Sequence, residues 1–122
     1  MNPNGGTVKI VLPENFPRPG FYYHYKHDPS KGPTHYAYEV LGLGLHTETG
    51  EFYVEYRPLY HEALVFQLSK GGVSVNDHRP LQMFMEPVSM DGVSMPRFTE
   101  VIDPGLMRVF IFTRNKMYPK TT

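Results

Sequence analysis

The stretch LGLGLHTETGEFYVEYRPLY, residues 41–60, decides how this chain folds. Its second half alternates: Phe52, Val54 and Tyr56 fall on one side, Tyr53, Glu55 and Arg57 on the other. A period of two marks a half-buried strand, because successive side chains leave opposite faces of a pleated backbone. Thr49-Gly50 supplies a turn, so the stretch predicts a β-hairpin whose first arm is the extended run HYAYEVLGL, residues 35–43.

The same chemistry extends outward. Twelve prolines and eleven glycines interrupt the chain every few residues, which disfavours long helices. Nine tyrosines, eight phenylalanines and many valines fill the gaps, and these are strand formers. Strands are predicted over 7–13, 20–26, 63–68 and 106–112, with a polar loop at 27–34. In NDHRPLQMF, Pro80 and the spacing of Leu81, Phe84 and Met85 predict one helical turn. Asp91-Gly92 is the strongest two-residue turn signal and predicts a second hairpin. The expected architecture is all-β, a small SH3-like barrel or rolled antiparallel sheet with one short helical turn, in a single domain over 1–122. The run LMRVFIF, residues 106–112, is apolar on both faces, so it is either a central strand or one covered by a second copy in a homodimer.

Bulk composition limits the function. Twelve basic and twelve acidic residues cancel, so no global field draws in long duplex nucleic acid or an anionic membrane. No apolar run approaches the roughly 20 residues of a membrane helix. The N-terminal MNPNGGTVKIVLPE does not read as a signal peptide. Absence of cysteine excludes disulfides and fits a reducing cytoplasm, so a soluble cytoplasmic protein is expected. The six histidines form no recognised ligand spacing, and neither metal nor cofactor is expected.

Five motifs, GFYYHYK, YEVLGLGLHTETGE, VEYRPLY, RPLQMF and DGVSMPRF, follow one another in the order of a bacterial family called domain of unknown function 1653, and the chain resembles that family over 20–98. The resemblance implies a small β domain of unassigned activity. It also implies a shared set: Tyr22, His24, Lys26, Tyr38, His46, Glu48, Thr49, Tyr56, Arg57, Tyr60, Arg79, Pro80, Phe84, Arg97 and Phe98. Against that pattern, residues 27–37 look like an insertion, His78 replaces an apolar residue, and a tryptophan is absent.

Two sites emerge. Alternation on the second strand places Tyr22, His24 and Lys26 on one face, where an aromatic ring, an imidazole and an ammonium together suit a ring bearing negative charge. Arg57, Arg79 and Arg97, with Tyr56, join them as candidates, because a guanidinium fork binds carboxylate or phosphate at two points; the same arginines could instead pair with glutamates and pin hairpins together. The first reading is therefore a binding module for a small anionic, ring-bearing ligand such as a nucleotide or a short single-stranded nucleic acid. His46 and Glu48, two apart on one strand face, support a different reading, a hydrolytic or phosphodiester-type enzyme in which the carboxylate orients the imidazole. The same residues also fit a plain turn. A pure protein-interaction domain is the third reading.

Overall fold

The structure is a computed structural model and describes residues 10–120. The hairpin predicted from residues 41–60 is present. β2 (Ala37–Leu45) and β3 (Phe52–Pro58) run antiparallel, joined by a turn in which His46 N–H donates to the Glu51 carbonyl at 2.9 Å. Gly50 takes a φ of 73°, which a side chain would strain. β1 (Gly20–His24) pairs with β2 on its other side. The remaining strands are β4 (Asp77–Pro80), β5 (Val88–Met90), β6 (Val93–Met95) and β7 (Phe98–Glu100). β5 and β6 form the second hairpin, and both Asp91 and Gly92 have positive φ, as a tight hairpin turn requires.

The main sheet has the order β4-β3-β2-β1-β7 with every pairing antiparallel. It stays open, with β4 and β7 as its edges, so the expected SH3-like barrel is corrected to an open five-stranded sheet plus a two-stranded ribbon. The reason lies in two segments predicted as strands. Residues 63–68 supply most of helix α1 (Leu64–Ser69), and residues 106–112 lie inside helix α3 (Pro104–Met117). Neither is available to close a barrel, and the fold is mostly β rather than all-β. Asp103 caps α3 by accepting from Leu106 N–H at 2.9 Å, Pro104 occupies the first turn, and Arg114 and Lys116 sit in the last turn. Of the strand predicted at 7–13, residues 7–9 lie outside the described region and 10–13 form no strand. The helical turn expected after Pro80 is α2 (Leu81–Met85).

Both faces of the sheet are covered, which explains aromatics at consecutive positions of β1. Phe21 points to one side and packs with Ala37, Leu59, Val101 and Phe110 of α3. Tyr22 points to the other and packs with Tyr38, Val40, Val54, Tyr56 and Phe84 of α2. In α3 the helical turn sends Phe110 inward, fully buried, and leaves Phe112 63% exposed. The two-faced apolar pattern that invoked a second copy is thus met in part by the sheet itself. Among the described residues no helix is long and apolar enough to cross a membrane.

Candidate functional site

The face covered by α2 carries an unusual density of polar aromatic and charged groups. Cross-strand register builds it: Tyr22 opposes Tyr38, His24 opposes Phe98, Tyr56 opposes Asp77, and Val54 opposes Arg79. Residues directly opposite in a ladder share a face, so Tyr22, His24, Tyr38, Tyr56, Asp77, Arg79 and Phe98 converge from five strands. Tyr36, just before β2, adds its ring at 5.4 Å from that of His24. It does so from a φ of 51°, a left-handed conformation a tyrosine rarely adopts and one that clusters at functional sites. The His24 N–H donates to the Tyr36 carbonyl at 3.0 Å and holds it there.

His24 is neutral in this setting. The Lys26 N–H donates to its Nδ1 at 3.2 Å, which uses a lone pair that protonation would remove. Burial, with Arg79, Lys26 and Arg97 nearby, lowers its pKa to about 4. Arg79 Nε donates to the Tyr56 hydroxyl at 3.1 Å, and the Tyr38 and Tyr60 hydroxyls share a hydrogen bond. Lys26, Arg79 and Arg97 form no ion pair among the described residues. Arg97 Nε is shut off from solvent with no hydrogen-bond partner. An unsatisfied buried donor costs about 1–3 kcal/mol, more when charged. Arg97 also lines a cavity of about 290 Å³ with Phe16, Arg18, Tyr22, Phe84 and Glu100, walled by the stacked Phe84 and Phe98 rings 4.1 Å apart. The cavity thus holds one buried, unsatisfied guanidinium beside the Phe84–Phe98 stack, with the Arg18–Glu100 ion pair also in its lining, and the His24 ring lies outside that lining, 5.1 Å from Phe98.

Asp77 is the one acidic group among the strand residues that converge here from β3 and β4. Burial raises its pKa to about 6, against the pull of Arg79. The two shifts have opposite pH signs. His24, depressed from 6.5, contributes stability that is present above pH 6.5 and lost as pH falls toward about 4. Asp77, raised from 3.8, contributes stability that is present below 3.8 and lost as pH rises through about 6. Relative to the parent chain, Asp77→Asn is therefore expected to lose more stability on acidification from pH 6 to 4, and His24→Phe less. Thermal melting across that range checks both, and variants that track the parent at every pH would contradict the assignment.

The remaining candidates lie elsewhere. Arg57 is on the opposite face, where its Nε and Nη2 each meet Glu39 Oε1 at 2.9 Å and its guanidinium stacks on Tyr118 at 4.0 Å. Arg114 of α3 binds the second oxygen of the same Glu39 at 3.1 Å. His46 and Glu48 are exposed in the β2–β3 turn. There His46 Nδ1 accepts from Thr49 N–H at 3.2 Å and Thr49 Oγ1 accepts from Glu51 N–H at 3.2 Å, the turn chemistry set beside the catalytic reading. No hydrogen bond or ion pair joins His46 to Glu48 among the described residues. Of the three arginines proposed to hold an anion, Arg79 and Arg97 lie on this face and Arg57 does not, while Phe98 belongs to the shared motif with no local signal that marks it as a ligand contact. Tyr36 and Asp77 carry no local signal, since only the backbone turn and strand register bring them in.

An open, antiparallel, mostly β domain with a cationic aromatic cluster on one sheet face is the class that fold and site define. Within that class the chain belongs to the family described as "Protein of unknown function (DUF1653)", whose model matches residues 20–100. A solved structure of a member of this family from Bordetella bronchiseptica is 34% identical, with a TM-score of 0.50, covering 71% of this chain and 92% of that one. Among curated proteins none matches this chain. Lys26, Arg79 and Arg97 fall within the matched residues, whereas Phe16 and Arg18 of the cavity and α3 lie beyond them.

Proposed function

We propose that this protein is a soluble, cytoplasmic binding module that takes a small anionic, ring-bearing ligand of the nucleotide class on the His24 face. One observation carries the reading: Arg97 Nε is buried and unsatisfied, and Lys26, Arg79 and Arg97 near a neutral His24 form no ion pair among the described residues, Asp77 being the acidic neighbour felt by Arg79. A phosphate or carboxylate supplies what those groups lack, and the rings of Tyr36 and Phe98 supply a surface for a flat ligand. The cavity beside Arg97 is at the small end of ligand pockets, which suits a single ring and one charged group rather than a long chain.

The hydrolytic alternative asks His46 and Glu48 to act together, and the turn gives them other partners. A pure protein-interaction role leaves the buried Arg97 nitrogen unaccounted for. Calorimetric titration with adenosine monophosphate, adenosine and inorganic phosphate tests the proposal. Adenosine monophosphate is expected to bind, with adenosine and phosphate each much weaker, because the site takes ring and charge together. No heat from any of the three at millimolar ligand overturns it.

A further inference from the structure

The opposite face of the sheet holds a larger cleft that the His24 site does not use. It lies between α1 with the loop after it, the β2–β3 floor and the end of α3, and its volume is about 1220 Å³. Four cations line it, Arg57, Lys70, Arg114 and Lys120, against the single carboxylate of Glu39. In a chain of net charge zero this is a local excess of positive charge. Glu39 engages Arg57 through Nε and Nη2 and Arg114 through Nη1. Arg57 Nη1 and Arg114 Nη2 carry no hydrogen bond among the described residues. One carboxylate thus orients two guanidinium groups without using all their donors. Lys70 and Lys120 stand exposed at the rim, and the hydroxyl of Ser74 and the amide of Asn115 add neutral donors.

We propose that this cleft binds the phosphodiester backbone of a short single-stranded nucleic acid. Its volume exceeds that of a usual small-molecule pocket, so an extended ligand fits better than a single ring. Spaced arginines and lysines with hydroxyl and amide donors between them are the groups that make most contacts to a phosphate backbone. A duplex would need a basic stripe along the surface, whereas these four cations are gathered in one cleft. The cleft is completed by α3, outside the residues matched by the family, so this face is built by the family frame and a helix added to it.

A short fluorescein-labelled oligothymidylate, titrated by anisotropy at several salt concentrations, is the test. Four phosphate contacts predict that log K falls with log salt at a slope of about −3. Lys70→Ala with Lys120→Ala removes two contacts at exposed positions, with the loss of the Lys70 ammonium over the Phe66 ring checked by thermal melting. The slope is then expected to shrink to about −1.5, with affinity roughly tenfold lower at low salt. Arg97→Ala, on the other face, is expected to change the oligothymidylate affinity less than about twofold. Failure to bind, a double-lysine variant that binds like the parent, or loss of binding in Arg97→Ala alone would each overturn the assignment. So would a poly-glutamate peptide of equal length binding as tightly with the same slope, since that would make the cleft a site for acidic peptides. The result is independent of adenosine monophosphate binding at His24, so the two sites fail separately.

Discussion

Phe110→Ala is expected to destabilise the protein by about 3–5 kcal/mol, while Phe112→Ala, two residues on, is expected to change stability by less than about 0.5 kcal/mol. Phe110 is fully buried, its ring 5.4 Å from Phe21 and 5.5 Å from Tyr23, and it anchors α3 to the sheet beside Ala37 and Leu59. Emptying that position leaves a cavity under the only long helix of the described region. For a domain whose total stability is about 5–15 kcal/mol, this is a large fraction. The contrast with Phe112 discriminates between folds. In a strand the two phenylalanines would share a face and cost alike, whereas in a helix they stand about 200° apart. Urea denaturation of both variants checks it, and equal losses would restore a strand at 106–112.

Arg79→Ala combined with Arg97→Ala is expected to weaken adenosine monophosphate binding by more than roughly 100-fold, each single change by roughly 10- to 100-fold. A charge-assisted hydrogen bond lost to an anion accounts for about 1.5–3 kcal/mol. Arg97 has the stronger claim, because its Nε is buried without a partner and so is already desolvated before any ligand arrives. Arg79 donates its Nε to the Tyr56 hydroxyl and makes no ion pair among the described residues. Arg57→Ala serves as the contrast, because Glu39 and Tyr118 hold it on the other face, and it is expected to leave this affinity nearly unchanged. Calorimetry on the double variant, the two single variants and Arg57→Ala decides the matter. An effect from Arg57 but none from Arg79 and Arg97 would move the ligand to the other face.

The parts of the fold written in local chemistry were legible in the sequence. Thr49-Gly50 and Asp91-Gly92 mark their turns because each needs a particular backbone conformation, and the alternation of 52–57 marks its strand. What failed depends on distant partners. An apolar run such as 106–112 satisfies strand and helix alike, and the arbiters were flanking residues: the Asp103-Pro104 cap and the basic last turn. Whether a sheet closes depends on which segments remain to close it, and two of them became helices. The site divides in the same way. Alternation alone put Tyr22 and His24 together, yet it also guarantees that neighbours Tyr56 and Arg57 leave β3 on opposite faces. Which of them joins Tyr22 depends on register through β2, where a bulge between Val40 and Gly42 resets the pairing. Asp77 and Tyr36 enter through that register and through one left-handed residue, neither of which a single segment displays.

The central claim is that the cations around His24 await an anion. Residue-by-residue NMR titration with adenosine monophosphate, following the His24 imidazole with pH, tests it most directly. An anion bound among Lys26, Arg79 and Arg97 offsets their charge, so the His24 pKa is expected to rise from about 4 on saturation. Resonances of Tyr36, Arg97 and Phe98 are expected to shift together with it. An unchanged His24 titration, with shifts absent or confined to the turn at His46 and Glu48, would contradict the account.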